Sequence, residues 1–303
     1  MKSVMHASFR RIFLRSVLLF CFFAAAPAGC AGQEAGNEAD LPLGRRISNC
    51  GEIIRGLRRG LRENASEITV SFEYGTDILD ELGGAVSEWM ELAREETGSP
   101  QEGDYLRLRM GGYSYSCRKT ESGGRYRYSV AVTPEYYTYR SQELKTDEEV
   151  KKIRRELAFR AGDSDEKKIR RIYGWLCENV RYDKVHGKNP NTHLKATAYS
   201  ALVLRTATCQ GYSAALYRLL REEGIECRAV TGQAGGETLH AWILVRLGDR
   251  FYLLDPTYDA GQEEWKHYLL GRKESEDHVP EERFRTEEFR TRYPMAEKAY
   301  FRK

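Results

Sequence analysis

The sequence predicts an α+β protein in which a helix bearing a cysteine packs on an antiparallel sheet, preceded by a small α+β domain. Two observations carry this prediction. Residues 209–223 have the apolar periodicity of a helix, and three strand-like runs follow at about 226–231, 238–247 and 250–255. Residues 46–145 mix helical and strand-like segments of their own.

The length and composition suit a soluble protein of two domains. The chain has 303 residues, of which 41% are hydrophobic and 31% charged. This balance is typical of globular proteins and provides enough apolar residues for a buried core. We predict a signal peptide over residues 1–30, a linker over 31–45, an N-terminal α+β domain over 46–145 and a second domain over 146–303.

The first 30 residues predict export. A basic start formed by Lys2, Arg10, Arg11 and Arg15 precedes a mostly apolar run over residues 12–23 and then a stretch of small residues. That order is typical of a secretory signal peptide, and the apolar run is short for a transmembrane helix. An N-terminal anchor that is never removed is the alternative.

Two processing routes stay open. Ala26-Pro27-Ala28 fits an ordinary small-x-small cleavage site, whereas Ala28-Gly29-Cys30 resembles the end of a bacterial lipobox. In the second route Cys30 becomes the lipid-modified N-terminus, although Pro27 replaces the usual aliphatic residue. The polar segment over residues 32–40 suits a tether. The protein is therefore expected to be either a membrane-anchored lipoprotein or secreted.

Charge and cysteine content exclude several classes of protein. The formal net charge of +3 includes the four basic residues of the leader, so the rest of the chain is nearly neutral and gives no reason to expect a nucleic-acid partner. The seven cysteines include no C-x-x-C pair, which argues against a zinc ribbon or a thioredoxin-like site. In an oxidising compartment, some of Cys50, Cys117, Cys177 and Cys227 could form disulfides.

The predicted N-terminal domain begins with a helix over residues 47–63. A strand follows over 68–74, and a second helical stretch begins at Asp77. Residues 105–118 and 125–133 are predicted to be a strand pair, joined through a turn at Ser122-Gly123-Gly124.

The second domain is predicted to begin with helices. A charged helix covers about 146–160, and another is capped by Ser164 or Asp165 and ends near Val180. A polar loop over 184–193 leads to a helix over 196–206 that is rich in small residues. The helix that starts at Cys209 then ends at Gly224.

Cys209 lies where a loop becomes a helix. Unpaired backbone N–H groups and the helix dipole stabilise a thiolate at such a position, and the same N–H groups can bind an oxyanion during acyl transfer. Gly211 is expected to let another segment of backbone approach closely. The alternative interpretation is that Cys209 is only a small buried hydrophobic residue.

His240 and Asp255 are predicted to lie close together on two paired strands. The turn at Gly248-Asp249 joins these strands as an antiparallel hairpin, and the two residues lie at similar distances from it. A histidine held by a carboxylate and facing a cysteine is an arrangement that activates a nucleophile. A structural histidine and an Asp-Pro turn are the alternatives.

Several motifs, in order along the chain, resemble those of the transglutaminase-like superfamily, in the form found in many bacterial exported proteins. These motifs are Tyr182-Asp183, residues 198–203, Cys209-Gln210-Gly211-Tyr212-Ser213, residues 224–232, His240-Ala241-Trp242, residues 252–259, residues 268–270 and Asp277-His278. They span about 100 residues. Tyr258 stands where tryptophan is common in the family, and Ser213 where alanine is common. The N-terminal half also resembles the α/β extension that precedes this domain in such proteins.

The resemblance implies a papain-like α+β core in which Cys209 is the nucleophile, His240 the base and Asp255 the residue that orients the histidine. Tyr182 and the Gln210 side chain are candidates for the second oxyanion donor. Trp242 is expected to form a wall of the site or part of the core, and His278 is interpreted as structural. Cys209, His240 and Asp255 are also residue types that bind zinc. We nevertheless predict neither a metal nor a cofactor, because a cysteine at a helix start already has a mechanistic use.

The expected function is that of an exported thiol enzyme. It would transfer or hydrolyse an acyl group at an amide or peptide carbonyl through a thioester on Cys209, with a protein or peptide of the cell envelope as substrate. Family membership includes peptidases and cross-linking enzymes and does not choose between them. The alternative is a catalytically idle cell-surface module that binds or scaffolds proteins. Contact with a membrane is expected only through the N-terminal lipid.

Overall fold

A computed structural model describes residues 41–184, 193–236 and 239–300. The chain divides into two compact units: Met1–Ala93 with Gly111–Glu135, and Arg94–Met110 with Tyr136–Lys303. We call them the N-terminal unit and the C-terminal unit. The predicted signal peptide and Cys30 lie outside the described residues.

The N-terminal unit combines helices with a three-stranded sheet. Its elements are α1 (Leu43–Arg46), α2 (Cys50–Arg62), β1 (Ile68–Tyr74), α3 (Leu82–Ala93), β2 (Met110–Ser122) and β3 (Arg125–Tyr136). The strand order is β1-β3-β2, and β1 runs antiparallel to β3. Ile53, Leu57 and Leu61 are buried on one face of α2, with the spacing of an amphipathic helix.

Two predictions for this half of the chain were wrong in detail. The helix expected from Asp77 begins instead at Leu82, because Asp77 accepts a hydrogen bond from Tyr128 Oη and stays outside the helix. The strand expected from Tyr105 begins at Met110, and residues Asp104–Leu108 form a short helix, α4, which belongs to the C-terminal unit.

The other helices of the C-terminal unit surround its sheet. They are α5 (Arg140–Leu157), α6 (Asp165–Asn179), α7 (Ala198–Leu202), α8 (Cys209–Glu222), α9 (Pro256–Asp259) and α10 (Glu287–Arg292). Ser164 caps α6 by accepting a hydrogen bond from the Lys167 N–H, as predicted. After α8, Gly224 adopts a left-handed conformation that favours glycine, which ends the helix.

The main sheet of this unit has five strands. Its strands are β6 (Cys227–Gln233), β7 (His240–Leu247), β8 (Arg250–Leu254), β9 (Tyr268–Leu270) and β10 (Val279–Pro280). Their order is β10-β6-β7-β8-β9, and each neighbouring pair is antiparallel. Because β6 pairs antiparallel with both β7 and β10, the starts of β7 and β10 lie at one end of the sheet.

The prediction of a helix over residues 196–206 was wrong. This segment forms a 3-10 turn at His193–Ala196, the short helix α7 and a strand, β5 (Thr206–Ala207). Arg205 has a φ of +58°, which a right-handed helix cannot accommodate. Pairing between β5 and β4 (Arg181–Tyr182) then holds the chain extended up to Cys209.

Both faces of the five-stranded sheet are covered. On one face, Ile243 and Val245 pack against α8 residues such as Leu216. On the other face, Trp242 and Leu244 belong to a second cluster that includes Phe284 and Tyr293 of the C-terminal segment. The predicted α+β class is therefore confirmed, with the Cys209 helix packed on an antiparallel sheet. No helix in the described ranges is long and apolar enough to cross a membrane.

Candidate active site

The three residues predicted to form the site lie at the ends of three elements. Cys209 is the first residue of α8, and it is half-buried. His240 is the first residue of β7, and Asp255 follows β8 as the N-cap of α9. Element ends give these side chains fixed positions without removing Cys209 from solvent.

The hairpin register explains how His240 reaches Asp255. Ile243 pairs with Leu254, so continuation of the same register places Asp255 opposite Trp242. His240 therefore lies diagonally across from Asp255, on the same face of the sheet as Trp242. The expectation that the two residues come within side-chain reach is confirmed, although the pair is diagonal.

His240 and Asp255 form a short, buried hydrogen bond. His240 Nε2 donates to Asp255 Oδ2 at 2.6 Å, and the two side chains are 1% and 0% exposed. Burial alone lowers the pKa of His240, but the hydrogen bond to Asp255 and the interaction with Cys209 outweigh burial and raise the pKa to about 10. His240 is therefore protonated across the neutral range.

Asp255 accepts more than the His240 hydrogen bond. Its Oδ1 accepts from the Thr257 N–H at 3.0 Å, and its Oδ2 also accepts from His278 Nε2 at 3.1 Å. Burial raises the pKa of this carboxyl, yet the hydrogen bonds from His240 and His278 lower it to about 2. Asp255 is a charged group inside the protein, satisfied by three donors.

Cys209 interacts with His240, and this interaction contributes to the raised pKa of the histidine. Because Nε2 of the ring is engaged by Asp255, the nitrogen that faces the cysteine is Nδ1. The order of groups is therefore sulfur, imidazole and carboxylate. This is the order in which a histidine transfers a proton to or from a cysteine nucleophile while a carboxylate holds the ring.

The start of α8 is held tightly against neighbouring backbone. The first helical bond of α8 joins Tyr212 N–H to Thr208 O, so the N–H groups of the preceding residues have no acceptor within the helix. A Cβ at Gly211 would lie 2.7 Å from Lys195 O and 2.8 Å from the Ala207 Cβ. The close approach predicted at Gly211 is confirmed.

The remaining predicted site residues have different environments. The Gln210 side-chain amide donates to Leu108 O at 2.7 Å, which fixes the side chain to the backbone of α4. Tyr182 is half-buried in β4, which pairs with β5 just before Cys209. Trp242 is 1% exposed, belongs to the core cluster behind the sheet and lies with its ring centroid 6.2 Å from that of His240.

His278 contacts Asp255, which the sequence did not predict. It was interpreted as structural, yet its Nε2 contacts Asp255 and its Nδ1 lies 2.8 Å from Asp277 Oδ1. The one available signal was the Asp277-His278 dipeptide at the end of the motif series. His278 and Asp255 are far apart in the sequence. They come together only because β10 pairs with β6, and local sequence patterns do not predict that pairing.

The His240, Asp255 and His278 side chains also place three possible metal-binding atoms within 4.8 Å of one another. Both histidine Nε2 atoms are, however, in hydrogen-bond contact with the same oxygen, Asp255 Oδ2. The donor set of these described residues is thus satisfied by mutual hydrogen bonds, and the residues present fit a hydrogen-bonded network better than an ion.

The Tyr258 ring packs against the His240 ring. Its ring centroid lies 5.0 Å from that of His240 and 4.9 Å from that of His267. His267 is in turn bound through Nδ1 to Asp259 Oδ1 at 3.0 Å. An aromatic shell therefore limits rotation of the His240 ring.

Cysteine pairing does not occur among the described residues. Cys50, Cys117, Cys177, Cys209 and Cys227 are all free thiols. Cys177 and Cys227 are buried, and burial raises the pKa of both. The described part of the C-terminal unit contains Cys177, Cys209 and Cys227, and of these three only Cys209 is partly accessible.

Known proteins resemble the segment that holds this geometry. The sequence profile of the transglutaminase-like superfamily matches residues 153–256, which include Cys209, His240 and Asp255. Kyphoscoliosis peptidase is similar at 30% identity over 109 residues in Mus musculus and at 31% identity over 112 residues in Homo sapiens.

Each match to kyphoscoliosis peptidase covers 32% of this chain but only 16% of the relative, so the chain spans about one sixth of the length of these relatives. A crystal structure of a TGase is similar over 54% of this chain and 49% of the TGase chain, with 16% identity and a TM-score of 0.37. Because the family profile matches them, residues 153–256 of this chain are assigned to the transglutaminase-like superfamily.

Proposed function

We propose that the C-terminal unit is a thiol enzyme that cleaves or transfers the acyl group of an amide or peptide bond through a thioester on Cys209. The observation that carries the proposal is the buried His240–Asp255 pair at 2.6 Å, with Cys209, half-buried at a helix start, among the groups that raise the pKa of His240. A structural histidine needs a partner, but it does not need a partly accessible cysteine beside it.

The first half of the reaction uses the charges already present. A protonated His240 stabilises a thiolate on Cys209, and the thiolate attacks the carbonyl carbon to form a C–S bond. Backbone N–H groups at the start of α8 would stabilise the oxyanion. His240 then gives its proton to the leaving amine as the C–N bond breaks, which leaves the thioester.

The second half regenerates the enzyme. In hydrolysis, the oxygen of water attacks the thioester while water gives a proton to His240. The C–S bond breaks, the acid is released and Cys209 becomes a thiolate again. In acyl transfer, an amine takes the place of water and a new amide forms. Asp255 keeps the ring in place during both proton transfers.

Hydrolysis of a peptide bond is the version that we favour. The relatives whose segment matches this chain are named peptidases. Because the matched segment is a small part of those proteins, we extend to this chain only the chemistry of the site. The substrate is accordingly a protein or peptide, and the export signal in the sequence favours one in the cell envelope.

Export itself is part of the proposal. The basic, apolar and small-residue order of residues 1–30 supports it, with cleavage before residue 30 or near Ala28. Mass spectrometry of the mature N-terminus would show either a diacylglycerol-modified Cys30 or an unmodified residue. A mature protein that still begins with residue 1 would contradict export by a cleaved signal.

Alkylation of Cys209 tests whether the site is active. Wild type, His240→Ala and His193→Ala would be treated with iodoacetamide at pH 6, and modification of Cys209 would be followed by mass spectrometry. We expect Cys209 to react at least about tenfold faster than a cysteine in a short peptide, and His240→Ala to remove that advantage. His193 is an exposed histidine outside the site, so its variant should react like wild type.

A second experiment identifies the acyl acceptor. The protein and its Cys209→Ala variant would be incubated with a glutamine-containing protein and a labelled amine. Cleavage that depends on Cys209 supports a peptidase, and incorporation of the amine supports acyl transfer. Peptide-like reactivity of Cys209, with neither product formed, would favour the alternative of an idle binding or scaffolding module.

A further inference from the structure

His278 contacts the proposed site from beyond residues 153–256, the range that the superfamily profile matches. The histidine lies directly before β10, and its side chain is 1% exposed. Its two nitrogens contact two different carboxylates: Nε2 lies 3.1 Å from Asp255 Oδ2, and Nδ1 lies 2.8 Å from Asp277 Oδ1. Both contacts are hydrogen bonds only if each nitrogen carries a proton.

The contact with Asp255 matters because of what that carboxylate already does. Asp255 Oδ2 accepts from both His240 and His278, and Oδ1 accepts from the Thr257 N–H. A buried carboxylate is held more firmly when each oxygen has more than one contact or a second donor. The second histidine adds a donor to Oδ2, which keeps this oxygen in the position from which it accepts the hydrogen bond of His240 Nε2.

The backbone around His278 is built for close approach. A Cβ at Gly232 would collide with Val279 O and would lie 2.8 Å from Pro280 Cα. Gly232 also pairs with His240 in the register of β6 and β7. Because Gly232 has no side chain, the segment that contains His278 packs directly against β6, next to the position that pairs with His240.

Aromatic rings and charged side chains from several elements surround His278. The ring centroids of Trp242, His240, His267 and Tyr258 lie 5.1, 5.9, 6.0 and 6.1 Å from that of His278. Charged side chains that line the same cavity as His278 are Arg250, Arg272, Glu276, Arg285, Arg290 and Glu297. The two hydrogen bonds to Asp255 and Asp277 are the polar contacts of the His278 side chain in the described structure.

We propose that His278 is a positioning residue, which holds Asp255 so that Asp255 can orient His240, and that Asp277 orients His278. The proposal rests on the proposed function, since it assigns a fourth and a fifth residue to the same site. The chain of contacts runs from Asp277 through His278 and Asp255 to His240 and ends at Cys209.

Alkylation of Cys209 between pH 5 and 9 measures the effect of His278. We expect His278→Ala to lower the rate at pH 6 by about tenfold, the loss of one hydrogen bond to a charged group. His278→Gln, which keeps an N–H donor of similar reach, should restore the rate to within about threefold of wild type. Ser275→Ala is the structural control, since it removes a buried hydroxyl bound to Gly271 O from the same segment. It should change the rate by less than about twofold.

A double-variant cycle asks whether His278 acts through Asp255. In an Asp255→Asn background, His278→Ala should change the alkylation rate by less than about twofold, because the partner through which it acts is already altered. A tenfold loss in that background would overturn the proposal. So would a Ser275→Ala loss as large as that of His278→Ala, which would indicate a general effect on the segment.

If His278→Ala does not fold, Asp277→Ala tests the same network. The Asp277 side chain is 54% exposed, so its loss should leave the fold intact. We expect a decrease in the alkylation rate of about threefold, smaller than for His278→Ala because the first contact remains. An unchanged rate in this folded variant would overturn the proposal.

NMR of ¹⁵N-labelled histidines separates this proposal from the proposed function. The Nε2–H signal of His240 should be protected from exchange in wild type, lost in His278→Ala and retained in His278→Gln and Ser275→Ala. If this pattern holds while Cys209 is unreactive in wild type, only the proposed function fails. If Cys209 is reactive, but His278→Ala changes neither the alkylation rate of Cys209 nor the His240 signal, only the positioning role fails.

Discussion

Asp255 Oδ2 lies 2.6 Å from His240 Nε2, and the two side chains are 0% and 1% exposed. A contact of this length between a carboxylate and a protonated ring is a charge-assisted hydrogen bond. Its burial makes each partner depend on the other, because a lone charge at either position would have no access to water.

Removal of Asp255 should therefore reduce both stability and reactivity. Asp255→Ala leaves His240 and His278 buried without their shared acceptor, and we expect a loss of about 3 kcal/mol in the free energy of unfolding. Urea unfolding would measure it. Asp249→Ala, at a side chain that is 89% exposed, is the matched control and should change stability by less than about 0.5 kcal/mol. Equal losses in the two variants would contradict the structural role of Asp255.

Stability should depend on pH in the way that the His240–Asp255 pair dictates. The pKa of His240 rises from 6.5 to about 10, so its contribution is full below pH 6.5 and is lost as the pH rises through 10. The pKa of Asp255 falls from 3.8 to about 2, so its contribution is full above pH 3.8 and is lost as the pH falls through 2.

The destabilisation caused by His240→Ala should accordingly be largest between about pH 4 and 6.5 and should decrease towards pH 10. Urea unfolding of wild type and variant across this range would measure the difference. A difference that grows from pH 6.5 to pH 10 has the wrong sign and would refute the assigned pKa shift of His240.

Gly211 should not tolerate a side chain. Alanine at this position would press against Lys195 O and the Ala207 Cβ at less than 3 Å, and we expect Gly211→Ala to cost about 1–3 kcal/mol through overpacking. Gly56→Ala is the control, since a Cβ there meets nothing within 4 Å and the position is inside α2. It should stabilise the protein by up to about 1 kcal/mol. Thermal unfolding of both variants would test the contrast.

The cysteines of the C-terminal unit should differ sharply in reactivity. Burial raises the pKa of the Cys177 and Cys227 thiols and shields them, whereas Cys209 is half-buried. Under native conditions at pH 7, peptide mapping after alkylation should find Cys209 modified at least about a hundredfold faster than either buried thiol. In urea the three should react at similar rates. Fast native modification of Cys177 would indicate that α6 opens in solution.

Local sequence patterns were sufficient for most of the elements that carry the site. The apolar periodicity of α8, the alternation along β7 and the turn at Gly248-Asp249 depend on residues close together in the chain. They predicted that Cys209 begins a helix and that His240 and Asp255 share a hairpin. Where pairing with a distant segment competes with local propensity, as in the stretch that ends in β5, the prediction failed.

The sequence by itself determined the α+β class, the order of Cys209, His240 and Asp255, and the need for glycine at position 211. The tertiary structure alone decided that Asp255 is diagonal to His240 and that His278 also binds it. Hydrogen bonds of this kind join side chains from separate elements, and their geometry depends on strand register and on the packing of a remote segment. Neither register shifts nor the path of that segment leaves a periodic mark in the sequence.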